Sequence, residues 1–230
     1  MDTRTSGAKR APRERSRTND PDRTKADIIA VATEEFAAYG LSGARVDAIA
    51  ERTRTSKRMI YYYFGGKEGL YLAVLEKAYA DIRDIEQGLK LDVLDPVEAL
   101  RRLIDQTFEY DDSHADFVRI VAIENIHQAK HLAEAPSIRQ INLRVIELVG
   151  AILARGRDQG LFRADLDAVD VHMMISAFCF FRVANRHTFG EIFQVDLSEP
   201  GLRAKHKRMI AEAVLRLVRQ EEPAGGAAGG

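Results

Sequence analysis

One stretch restricts this chain more than any other: VDAIAERTRTSKRMIYYYFGGKEGL, from Val46 to Leu70. Val46, Ile49 and Ala50 stand at i, i+3, i+4, which places them on one face of a short helix. Ala50 is small, so a second helix can approach closely there. Arg54, Thr55 and Ser56 make a polar turn. Ser56 is a good N-cap, because its hydroxyl can accept from an orphan N–H of the helix that follows. In that helix Ile60 and Phe64 point inward at i, i+4, with Tyr63 beside them. The opposite face carries Lys57, Arg58, Tyr61 and Tyr62 with no acidic residue among them. Cations and phenols arranged this way match a phosphate backbone, and a short helix of this kind suits a DNA groove.

The charge distribution agrees. The net charge over 230 residues is only −1. Residues 1–67 hold 14 Lys/Arg against 9 Asp/Glu, net +5, and the remainder holds 20 against 26, net −6. A basic front and an acidic rear fit contact with nucleic acid at one end. A hydrophobic fraction of 46% is enough to bury a sizeable core in one or two domains. Cys179 is the sole cysteine, which excludes an intramolecular disulfide and a cysteine-based zinc cluster. It lies in the apolar run Ala177–Phe181, where a buried, inert thiol is expected. No apolar run reaches membrane-spanning length, and no secretory signal precedes the first helix. The expectation is a cytoplasmic protein with no membrane contact.

Helical periodicity continues along the chain. Residues 1–21 lack it and read as a disordered basic arm, able either to track phosphates or to do nothing. Ile28, Ala32 and Phe36 mark helix 1, from Asp22 to Tyr39, with Gly40 as its stop. Helices 2 and 3 are the pair described above. Leu70, Val74, Ala78 and Ile82 mark helix 4, from Lys67 to about Leu89. Asp95-Pro-Val-Glu98 opens helix 5 with a cap and an N1 proline. Helix 6 is expected over Ala115–Ala133, helix 7 from Pro136 to near Gly160, helix 8 from Asp167 to about Phe189, and helix 9 from Pro200 to Arg219. Residues 221–230 read as a flexible tail. No strand-like alternation stands out. The fold class is all-α, with about nine helices.

The Ser56-Lys57 pair, the Ile60-Tyr61-x-Tyr63-Phe64 run and Lys67-Glu68 with Leu70 resemble the N-terminal domain of the TetR family of transcriptional repressors. The resemblance covers residues 22–83, with the motif at 45–64, and leaves 84–220 as a helical part for effector binding and dimerisation. Two residues depart from the family pattern. Arg54 stands where the turn usually has Gly, and Arg58 where Gly often follows the Ser-Lys pair. The resemblance implies a homodimer on a double-stranded operator, with helix 3 in the major groove. Lys57, Arg58, Tyr61, Tyr62 and Lys67 would hold phosphates, and Ser56 would cap the helix against them. Thr55, Arg58 and Met59 would meet base edges, and Arg45 would anchor the start of helix 2. It also implies a small-molecule effector and a pairing of the last two long helices with those of a second copy. Phe117, Val121, Glu124, Asn125 and Gln128, with Phe178, Arg182 and Asn185, are candidates to line the effector pocket. Arg182 and Arg186 would suit an anionic effector.

Sequence signals for catalysis are missing: no serine elbow, no phosphate-cradling glycine loop and no His-Glu-x-x-His. No enzyme and no cofactor are expected. Glu124, His127 and His131 fall at i, i+3, i+7 on helix 6 and could hold a divalent ion with a fourth ligand such as His172. The simpler reading is that these residues line a polar pocket or face water, and no metal is expected. The rival from another class is a helical small-molecule or metal sensor that does not bind DNA.

Overall fold

The computed structural model describes residues 20–220. The tail at 221–230 and all but the last two residues of the basic arm lie outside the described residues. The N-terminal helices are α1 (Pro21–Gly43), α2 (Val46–Arg52), α3 (Lys57–Phe64) and α4 (Lys67–Gly88). After them come α5 (Pro96–Ser113), α6 (Ala115–Ile126) and α7 (Pro136–Asp158). The last three are α8 (Ala168–Ala184), α9 (Arg186–Phe193) and α10 (Pro200–Val218). Two single 3-10 turns, Leu91–Val93 and Leu132–Glu134, complete the described residues, which contain no strand.

Side-chain caps account for five of the ten α-helix starts among the described residues. Asp20 accepts from the backbone N–H of Asp22 at 3.1 Å, with Pro21 next to it. Asp95 accepts from Val97 N at 2.9 Å ahead of α5, and Asp167 accepts from Asp170 N at 2.9 Å ahead of α8. Each satisfies a donor that the first helical turn leaves orphaned. Gly40 sits at φ +65° and kinks the end of α1, in keeping with its place in the sequence.

Two helix bounds need correction, and the first brings the count among the described residues to ten α-helices where about nine were expected. The helix expected to run from Asp167 to Phe189 breaks at Asn185, and α8 and α9 meet at a bend of 66°. No proline or glycine marks this break. Asn185 terminates α8 by donating its side-chain amide to Phe181 O at 3.3 Å. The second correction is to helix 6, which stops at Ile126 and not at Ala133. Gln128 and Ala129 take left-handed φ of 59° and 56°, and Ala129 N–H donates to Glu124 O at 2.8 Å.

The helices bury two apolar clusters. The first joins Ile28, Phe36, Ile49, Ile60, Leu70 and Tyr71 of α1–α4 and also takes in Ile120 of α6 and Ile138 of α7. The second joins Leu100, Phe108, Val149, Val171, Cys179 and Val214 of α5, α7, α8 and α10. Cys179 is buried, as expected, and burial pushes its thiol pKa up, away from reactivity. At one edge Asp112 receives Arg203 Nε at 2.7 Å and also binds Arg182, which ties α5 to α8 and α10. Among the described residues no single helix is long and apolar enough to cross a membrane.

Candidate nucleic-acid interface and interior cavity

Helix α3 is held by one face and bare on the other. Ile60 is fully buried in the first cluster. Ser56 caps the helix, its hydroxyl accepting from Met59 N at 3.2 Å. Gly65 ends it in the left-handed region at φ +76°, which glycine adopts without a side-chain clash. On the open face Tyr62 is 78% exposed and Tyr61 41% exposed, and Lys57 and Arg58 are exposed beside them. One detail differs from the sequence reading, which gave this face no acidic neighbour. Lys57 Nζ lies 3.1 Å from Asp47 Oδ2 on α2, a hydrogen bond that raises the lysine pKa. The pair is solvent-exposed, so it is worth little and yields readily to a phosphate.

The other predicted DNA-facing residues lie around α3. Arg45 is exposed at the N-cap of α2, where its backbone N–H donates to Glu35 Oε1 at 3.0 Å. Thr55 and Met59 are half-buried. Lys67 Nζ donates to Ser42 O at 3.1 Å, which fastens the start of α4 to the end of α1.

The turn carries strain. Arg54 has φ +53°, the conformation for which the usual glycine is suited. A left-handed non-glycine residue costs about 1 kcal/mol or more, against roughly 0.5–1 kcal/mol of extra chain entropy that a glycine loses on folding. Arg54→Gly is therefore expected to leave stability unchanged or raise it by up to about 1 kcal/mol. Chemical denaturation measures it, and a fall in stability would show that the Arg54 side chain makes interactions that outweigh the strain.

Comparison with known proteins decides what this geometry belongs to. Residues 28–74 match the family model described as "Bacterial regulatory proteins, tetR family", and residues 96–214 match "Tetracyclin repressor-like, C-terminal domain". The chain belongs to the TetR family. A TetR-family protein is a DNA-binding transcriptional regulator whose helical C-terminal part answers to small molecules, and it is not an enzyme. The chain is 35% identical to the HTH-type transcriptional repressor NicS of Pseudomonas putida over 204 residues, covering 89% of this chain and 96% of that one. It is 31% identical over 158 residues to the HTH-type transcriptional repressor SCO4008 of Streptomyces coelicolor, covering 69% of this chain and 77% of that one. Among solved structures, the putative transcriptional regulator SCO4942 from Streptomyces coelicolor superposes with a TM-score of 0.63 at 26% identity, covering 85% of this chain and 98% of that one.

A cavity of about 470 Å³, open to solvent on one side, lies between α4, α5, α6, α7 and α8. Of the residues anticipated for an effector pocket, Phe117 and Val121 line it. Phe178 and Arg182 border a separate groove of about 230 Å³ facing outward between α8, α9 and α10. Arg182 is engaged, bound to Asp112 and to Leu197 O and stacked over Phe108 at 4.8 Å. Asn125 and Gln128 are exposed, and Asn185 sits at the α8–α9 break.

Glu124 faces neither cavity. It is 1% exposed and accepts from Tyr71 OH at 2.8 Å, with His131 Nδ1 at 2.7 Å and Leu132 N at 3.4 Å. Three partners within the fold thus occupy the Glu124 carboxylate. His127 is exposed at the end of α6, and His172 lies in the cavity wall. Among the described residues no three His, Cys, Asp or Glu side chains gather as a metal site.

Apart from His172, the residues that make the cavity polar do not stand out in the sequence. Arg83 is 5% exposed and Asp111 5% exposed, and both border it with Asn142, Ser176 and His172. Arg83 Nη1 lies 2.8 Å from Glu86 Oε2 on the same helix. Burial lifts the Asp111 and Glu86 carboxyls to about 7 each, against the pull of Arg83. Burial, with Arg83 nearby, pushes His172 down to about 4, so its ring is neutral at pH 7.

Proposed function

We propose that this protein represses transcription as a homodimer on a near-palindromic operator and that a small molecule in the interior cavity releases it. The observation that carries the reading is the bare α3 face, with Lys57, Arg58, Tyr61 and Tyr62 open to solvent on a helix whose other side is fixed in the core. Lys57, Arg58, Tyr61, Tyr62 and Lys67 serve phosphates, and Arg45 anchors α2 to the backbone. Thr55, Arg58 and Met59 stand nearest the role of base contact.

Dimerisation has support in the exposed apolar side chains of α8 and α10. Met173 is 58% exposed, Phe181 52% and Met209 52%, apolar side chains that a second copy of the chain would cover. Two-fold symmetry then sets the half-sites about one helical turn, ~34 Å, or a multiple apart. Helix α4 is the lever, because Leu70 and Tyr71 pack in the DNA-binding core while Tyr79, Ile82 and Arg83 border the cavity. An effector that prefers one position of α4 shifts the spacing of the two reading heads.

A gel shift with a duplex from the region upstream of the chain's own coding sequence is expected to show a complex holding two protomers per palindrome. Absence of any shift at micromolar protein in low salt, or one protomer per site, would contradict this reading.

A further inference from the structure

The polar groups that border the cavity without partners are chiefly acceptors. Asp111 is buried, yet its carboxylate makes no hydrogen bond and no ion pair among the described residues. It borders the cavity, and neither of its oxygens is sealed off from solvent space. A buried carboxylate left in this condition costs free energy that an arriving donor recovers, so it needs a reason. Thr107 stands one turn earlier on the same face of α5 and borders the same space. It spends its hydroxyl proton on Leu103 O at 3.0 Å and can only accept from a further partner. Across on α7, Asn142 turns its amide nitrogen to Ile138 O at 2.9 Å, which leaves its carbonyl oxygen without a hydrogen bond. Ser176, Tyr79 and the neutral ring of His172 can each accept as well as donate.

The charges run the same way. Arg83, Glu86 and Asp111 are all buried, one guanidinium against two carboxyl groups. Arg83 is paired with Glu86 at 2.8 Å, so Asp111 is the carboxyl left over. Arg139 is exposed, and water screens its charge. Burial raises the Asp111 carboxyl to about 7, so near neutrality an arriving cation displaces only part of a proton. The remaining walls are aromatic and aliphatic. Tyr79 and Phe117 meet edge to face at 5.2 Å, and Phe180 lies on the side formed by α8. Aromatic faces attract a cation as well as a flat apolar body. A space of about 470 Å³ suits a small organic molecule rather than an inorganic ion. We propose that the cavity takes a small organic ammonium ion with an aromatic body, its charged nitrogen on Asp111 and its ring against Phe117 and Phe180. This rests on the effector reading above and names the chemical class of the ligand. An ammonium group brings several N–H donors and no acceptor, which matches a space lined by acceptors.

Calorimetric titration of the full chain tests it with benzylamine and phenethylamine against benzyl alcohol, phenethyl alcohol and benzoate. At least one amine is expected to bind about tenfold or more tightly than its own alcohol. Asp111→Asn, which keeps the shape and removes the charge, should abolish that preference. Alcohols or benzoate binding as tightly as the amines would overturn the assignment. So would the absence of measurable binding by either amine at millimolar concentration, or unaltered amine binding by Asp111→Asn. The amine–alcohol comparison needs no variant, so it stands even where Asp111→Asn fails to fold. Operator release separates the two readings. Release by a neutral or anionic compound alone upholds effector control and rejects the ammonium ion, whereas an amine that binds at Asp111 without releasing the operator upholds the site and rejects its role in release.

Discussion

Gly69→Ala is expected to collapse the DNA-reading head. A Cβ at Gly69 would lie 1.9 Å from the Phe64 carbonyl oxygen and 3.1 Å from its carbonyl carbon. Both atoms are backbone, so no side chain can swing aside. Phe64 is the last residue of α3, and Gly69 lies in the first turn of α4. Relief requires the two helices to separate by about 1 Å or more, which withdraws Ile60 from its buried seat and re-aims Lys57, Arg58 and Tyr62. Overpacking of this kind costs about 3 kcal/mol, the upper end of its usual range. In a chain of this size that lowers the melting temperature by roughly 6–12 °C. Operator affinity should fall by about tenfold or more even below the melting transition, since a 1 Å error is large for docked side chains. A melting curve and a gel shift measure the two effects. A variant that melts with the parent and binds with the parent's affinity would refute the close α3–α4 approach.

Glu124→Ala is expected to have an effect of similar size at the junction between head and body. Tyr71 belongs to the core of the head, fully buried and edge to face with Phe36 at 5.1 Å. Its hydroxyl donates to Glu124 of α6, which also holds His131 and the backbone of Leu132 at the start of the short turn before α7. Truncation leaves the Tyr71 hydroxyl unsatisfied in an apolar core, at about 1–3 kcal/mol, and adds a cavity where the side chain stood. The expected destabilisation is about 3–4 kcal/mol. Glu124→Gln should cost only about 1 kcal/mol, since its carbonyl oxygen in the place of Oε1 still accepts from Tyr71, and its amide nitrogen displaces only the long 3.4 Å contact with Leu132 N. Combining Glu124→Ala with Tyr71→Phe should cost less than the two single changes together, by about 1 kcal/mol or more, because the orphaned hydroxyl is then gone. Strict additivity in a double-mutant cycle by chemical denaturation would deny the link.

The helix starts are legible in the sequence where a side chain caps a donor. Asp95, Ser56 and Asp167 announce α5, α3 and α8 from sequence alone, and the structure gives each of them its backbone N–H partner. The end of α6 is not legible. No glycine or proline marks Gln128 and Ala129, and the turn there exists because Glu124 is drawn inward to partners from α4 and from beyond the turn. The break at Asn185 is hidden in a similar way, since α8 and α9 together read as one apolar helix. Arg83 and Glu86 mislead in the opposite sense. At i, i+3 they resemble an ordinary exposed pair on a long helix, and only the packing of α5, α6 and α7 around α4 buries them. Arg182 reads as available to an anion because Asp112, distant in sequence, is invisible there as its partner. The α3 face is readable because it depends on local spacing and on the absence of burial, both of which sequence carries well.

The most direct measurement of the central claim, that the bare face of α3 meets the DNA backbone, is the salt dependence of operator affinity for the parent and for Lys57→Ala. Removing one phosphate-binding cation from each protomer of a dimer should flatten the plot of log K against log salt by about 1.8, at roughly 0.9 per neutralised phosphate. Affinity for the operator and for a scrambled duplex should fall together. An unchanged slope, or a weakening confined to a single operator sequence, would contradict a phosphate-facing α3.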